Sequence, residues 1–200
     1  MGKPIKLSDR NKDWVRRRTD KPRRQNSFLE QRKRFLIVCE GSKTEPNYFR
    51  EFEADLPPNV VRLEVFGEGM NTLTLVKKAE EIRQERSEMD PPYDQVWVVF
   101  DRDSFAPDDF DNAIHKAQAH SIHSAWSNEA FELWYILHFE YRTTAMGREE
   151  YRGRLTQYLG LEYRKNAQDM YGQLAAKGNQ TQAVAWAKRL HQTAMASGTP

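Results

Sequence analysis

Two apolar runs, Phe35-Leu36-Ile37-Val38-Cys39 and Val96-Trp97-Val98-Val99-Phe100, each end abruptly in acid: Glu40 after the first, Asp101 and Asp103 after the second. Unbroken runs of about five β-branched, aliphatic and aromatic residues predict strands buried on both faces, here over 34–39 and 95–100. Between them, Val61, Leu63 and Val65 alternate with Arg62, Glu64 and Phe66, which predicts a more exposed strand over 60–66. Ile122 to Trp126 predicts a short fourth strand.

The intervening segments carry helical signals. Glu40-Gly41-Ser42-Lys43-Thr44-Glu45-Pro46 is a glycine-containing turn leading to a proline suited to a first helical turn, and the helix continues to Ala54 with Tyr48, Phe49 and Phe52 on one side. Pro57-Pro58 stops it. Asn71 or Thr72 can cap a second helix, whose apolar positions Leu75, Val76, Ala79 and Ile82 follow the helical period. A third helix is predicted over 108–119. Residues 130–139, apolar nearly all round, predict a buried helix. Helices over 149–159 (closed by Gly160), 164–175 and 179–195 follow, the last with Ala183, Val184, Ala187 and Leu190 inward.

This alternation implies an α/β sandwich with a mostly parallel sheet of about four strands, helices on both faces and a helical C-terminal extension. Residues 34–140 would form the α/β domain, 141–200 the extension packed on it, and 1–33 a basic mobile arm. Composition sharpens the last point. Residues 1–34 hold thirteen Lys and Arg against four Asp and Glu, although the whole chain is only +2. A basic arm on an acidic body suits phosphate binding, with Arg16, Arg17 and Arg18 as candidates, or it is a solubilising tail. No apolar run approaches a membrane span and no signal core follows the N-terminus, so the chain is expected to be cytoplasmic and away from membranes. The single cysteine, Cys39, rules out internal disulfides and a cysteine-based zinc site, and its flanks read as strand core. His115, His120, His123, His138 and His191 show no metal-binding spacing.

The acids at the strand tips carry the candidate chemistry. In an extended strand end, Asp101 and Asp103 point to the same side and can share one hard cation, with Arg102 turned away as a candidate substrate contact. Glu40, at the tip of another strand of the same sheet, adds a third carboxylate, and clustered carboxylates repel unless a cation or proton lies between them. Magnesium or manganese suits such a site, because Mg²⁺ takes few carboxylates and keeps waters for phosphate oxygens. Glu45 is a further ligand candidate or a first-turn acid, and Lys43 a phosphate contact. Asn128 and Glu132, four apart, would share one helix face. Glu132 reads either as a catalytic or positioning acid or as the partner of a buried arginine, and Asn128 as a substrate contact or a helix cap.

A strand ending in Glu-Gly followed by a strand ending in Asp-x-Asp resembles Toprim domains, found in topoisomerases, primases and several nucleases. Three blocks are more specific: Phe35 to Phe49, Phe100-Asp101-Arg102-Asp103-Ser104-Phe105, and Ser127-Asn128-Glu129-Ala130-Phe131-Glu132-Leu133-Trp134-Tyr135-Ile136-Leu137-His138-Phe139. Together they resemble the RloB family, which includes AbiLii-type phage-resistance proteins. The resemblance implies a Toprim-like fold, an antiphage or restriction-associated role and a possible companion ATPase. It makes Glu40 a general acid/base or metal ligand, and Asp101 and Asp103 magnesium ligands. The Asn-Pro-Ser-Thr-like segment usual after the last helix of the family is not found in this sequence.

The resulting expectation is a Mg²⁺- or Mn²⁺-dependent nuclease acting on DNA or RNA. The alternatives are a non-catalytic subunit that binds nucleic acid or the ATPase, and a nucleotidyl-transfer enzyme using the same site.

Overall fold

The computed structural model describes residues 32–57, 61–67, 69, 72–102, 107–144 and 146–197. These lie in the unit that runs from Arg32 onward. Among the described residues there are four strands, β1 (Lys33–Cys39), β2 (Val61–Gly67), β3 (Gln95–Asp101) and β4 (His123–Ser127). They form one sheet in the order β2-β1-β3-β4, and every pair is parallel. The two continuous apolar runs are therefore the central strands, flanked on both sides, which is why they need apolar residues on both faces.

Helices α1 (Thr44–Asp55), α2 (Thr72–Ser87) and α3 (Pro107–Ala119) alternate with the strands. The short α4 (Glu132–Ile136) then leads to α5 (Arg148–Leu159), α6 (Met170–Lys177) and α7 (Gln180–Ala196). One face of the sheet buries Leu36, Val38, Val98 and Phe100 against α2 and α3. The opposite face buries Ile37, Cys39 and Val99 against α1, α4, α5 and α6, including Tyr48, Tyr135, Leu155 and Leu174. This is the expected α/β sandwich, with the sheet wholly parallel. No helix among the described residues is long and apolar enough to cross a membrane.

Three local expectations are corrected. The apolar block at 130–139 folds as a five-residue helix flanked by turns. An all-round apolar pattern reports burial, and buried turns satisfy it as well as a helix does. The helix expected from 164 begins at Met170 instead. Along α7, Ala183 is fully buried while Val184 is 39% exposed, so the helix presents a narrower stripe to the body than its composition suggests. Gly160 closes α5 at φ 65°, in the left-handed conformation that glycine adopts without steric cost. Asn179 caps α7, its side chain accepting from the Gln182 amide.

Candidate carboxylate site at the strand ends

Parallel strands deliver their carboxyl ends to one edge of the sheet, where α/β proteins collect ligands. There β1 stops at Cys39 and its backbone continues in register, the Glu40 amide donating to the Val99 carbonyl at 2.8 Å. The Glu40 side chain reaches across to β3, its Oε2 accepting from the Asp101 amide at 3.1 Å. Two acids from strands far apart in sequence are thus fixed side by side.

The turn after Glu40 is shaped by glycine. The Glu45 carboxylate folds back over Gly41, accepting from the Gly41 amide and from its own. A β-carbon at Gly41 would lie 2.8 Å from the Glu45 Cδ, so only glycine leaves room for the carboxylate. The end of β2 supports the same turn. The Gly69 amide donates to the Glu40 carbonyl at 2.7 Å, and a β-carbon on Gly67 would come within 2.8 Å of the Gly41 carbonyl oxygen. Gly67 and Gly69 thus hold the loop from the end of β2; Glu68 lies outside the described residues.

Glu45 and Glu132 are both buried, at 5% and 6% exposure. Burial and the nearby Glu132 charge together push the Glu45 carboxyl above its usual range, partly offset by Lys165 and by the two backbone donors. Glu132 accepts from the Tyr163 hydroxyl at 3.0 Å. Burial and the Glu132 carboxylate in turn hold the Tyr163 phenol well above its ordinary value.

A cleft of about 480 Å³ is lined by Glu40, Lys43, Glu45, Asp101 and Glu132, joined by Lys165 and Asn166. The last two come from the loop between α5 and α6. Asn166, with φ 74°, is fixed by two contacts: its Oδ1 accepts from the Thr44 hydroxyl at 3.0 Å and its carbonyl from the Asn47 side chain at 3.1 Å. The loop is anchored from behind, where the Tyr171 and Gly172 amides at the start of α6 donate to the Glu51 carboxylate of α1 at 2.7 and 3.0 Å.

Among the candidates, Glu40, Lys43, Glu45, Asp101 and Glu132 are brought together. Asp103, Arg16, Arg17 and Arg18 lie outside the described residues. Arg102 and Asn128 line a different cavity, and the Arg102 guanidinium sits over the Phe110 ring at 5.0 Å. The expected common helix face of Asn128 and Glu132 does not form: Asn128 lies in a bend before α4, whose N-cap is Phe131 without a side-chain cap bond. Asn128 therefore does not cap the helix, and of the two readings of Glu132 the pairing with a buried arginine is replaced by a bond from the Tyr163 phenol. Sequence reasoning missed Tyr163, Lys165 and Asn166. They follow a helix end in an irregular segment with no periodic signal.

The family model for RloB-like proteins matches residues 35–199. The chain belongs to the RloB-like family. Membership points to a phage-defence or restriction-associated protein, and the match takes in all the described candidates at the cleft while leaving the basic arm outside. No curated relative and no solved structure matches the chain.

Proposed function

We propose that this RloB-like protein is a divalent-cation-dependent phosphodiesterase that cleaves nucleic acid in phage defence. The observation that carries the reading is the convergence of four carboxylates, Glu40, Glu45, Asp101 and Glu132, on one cleft that also holds two lysines. The donor set fits Mg²⁺ or Mn²⁺. Among the described residues no group of three or more His, Cys, Asp or Glu side chains is placed to hold a metal ion together. Mg²⁺ suits an open site of this kind, since one or two carboxylates suffice and its remaining positions stay with water and phosphate.

Asp101 and Glu40 are the residues to hold the cation, with Glu45 and Glu132 supplying further negative charge. A cation held there would supply charge neutralisation at the scissile phosphate and acidity to an attacking water. Glu40 takes the proton from that water or returns one to the leaving oxygen. Lys43 and Lys165 draw in the phosphate backbone as point charges. Tyr163, by donating to Glu132, fixes that carboxylate's direction in the cleft.

The test is cleavage of end-labelled single- and double-stranded DNA and RNA by the full chain with Mg²⁺ or Mn²⁺. Glu40→Gln and Asp101→Asn should each lower the rate at least about a thousandfold, the scale of losing a charge-stabilising group, with folding intact by circular dichroism. Cleavage indifferent to both substitutions would overturn the proposal. Binding without cleavage of any substrate would favour a non-catalytic nucleic-acid subunit instead.

A further inference from the structure

Beside the carboxylate cleft lies a second cavity, of about 520 Å³, that the chemistry above does not use. Adjacent residues are divided between the two: Asp101 and Glu132 face the cleft, Arg102 and Leu133 the second cavity. The two spaces therefore flank the same strand end and the same helix start. The walls of the second come from the outer edge of β4, from α4 and the segment after it, and from α7.

Three features define what would fit. First, β4 is an edge strand, paired in the sheet with β3. Ser127 turns its carbonyl to β3, accepting from the Arg102 amide at 2.8 Å. Main-chain groups alternate sides along a strand, so those of Ser124 and Trp126 point away from β3, on the side where the cavity lies. Second, Arg142 brings a positive charge to the lining, one guanidinium nitrogen donating to Glu150 at 3.0 Å. Third, two indoles line the space, Trp126 and Trp134. Trp134 already hydrogen-bonds the Tyr48 hydroxyl, so what it offers the cavity is apolar ring.

Aromatic surface, strand-edge main-chain groups and a guanidinium match a planar base carrying a phosphate: stacking for the ring, main-chain groups for its edge, arginine for the anion. We propose that this cavity holds an unstacked nucleobase next to the scissile phosphate, so that the substrate is single-stranded or has a nucleotide splayed out of its helix. The inference rests on the phosphodiesterase reading of the neighbouring cleft. A base inside an intact duplex would first have to leave its stack.

Binding can be measured without cleavage, by calorimetric titration of the full chain in EDTA with nucleoside 5′-monophosphates and a short single-stranded oligonucleotide. Ala194→Trp, which fills the cavity from α7, and Arg142→Gln should each weaken binding at least roughly tenfold, the scale of one lost base–aromatic or phosphate contact. Thermal unfolding of each variant verifies the fold, and the two variants act through unrelated groups. Wild-type affinity in both variants, or no binding by the wild type, would overturn the inference. The phosphodiesterase reading fails separately, by absence of metal-dependent cleavage with nucleotide binding intact.

Discussion

Gly41 shows how much a single position controls at the strand ends. Its missing side chain is the space into which the Glu45 carboxylate folds. Because the obstructing group is the far end of a flexible side chain, Gly41→Ala should fold with a stability loss of only about 1 kcal/mol while driving Glu45 out of place. The expected outcome is near-normal unfolding in urea with cleavage reduced at least about tenfold; unchanged cleavage would remove Glu45 from the site. His138 makes a different kind of statement. It is 3% exposed, its Nδ1–H donates to the Trp134 carbonyl at 2.9 Å, and burial lowers its pKa below 6.5. The folded state thus disfavours the imidazolium, and below that value the unfolded chain binds the extra proton. Stability from this group is present above pH 6.5 and is lost as the pH falls through it. Urea unfolding at pH 7.5 and 5.5 should show a larger drop for the wild type than for His138→Gln; equal drops would contradict it. At this scale much of the site was legible, because Glu40 and Asp101 stand at the ends of unmistakable strands. Tyr163 and Lys165 were not, since nothing local marks a residue that acts by closing over a distant edge.

At the scale of elements, the cleft depends on a helix that carries none of its carboxylates. Glu51 of α1 caps α6 from outside, a substitute for the side-chain cap that Asp169 does not provide. Removing it leaves two amides unsatisfied and frees the helix start. Glu51→Ala should cost about 1–2 kcal/mol by urea unfolding and also lower cleavage, because Lys165 and Asn166 sit on the loop that α6 holds. Loss of stability with undiminished cleavage would show that the loop is passive. The outer strand β2 and the longer helices were readable from their periods, and the two central strands from unbroken apolar runs that serve a core on each face. The length of α4 was not, because a segment buried from several sides carries no period to read. Its apolar residues were legible as core, and the bend that sends Asn128 and Glu132 to different cavities was not.

Across the whole molecule, the order of strands decides where chemistry can occur. Placing β1 beside β3 joins residues 40 and 101 through one hydrogen bond, and the helices after β4 return to close the opening. The carboxylates gain nothing from each other there: the Glu132 charge and burial both disfavour ionised Glu45, a cost that a bound cation would offset. Natural chains tolerate such local conflict at sites of function. The fold class was legible in the sequence because the order of strands and helices leaves few arrangements open. The partition of the strand-end residues between two cavities depends on tertiary packing and was not. The central claim is that the cleft is a cation site, and the most direct measurement is anomalous diffraction from crystals soaked in Mn²⁺. The account predicts an anomalous peak within bonding reach of Asp101 and Glu40, abolished in Asp101→Asn; a peak elsewhere, or none at millimolar Mn²⁺, would contradict it.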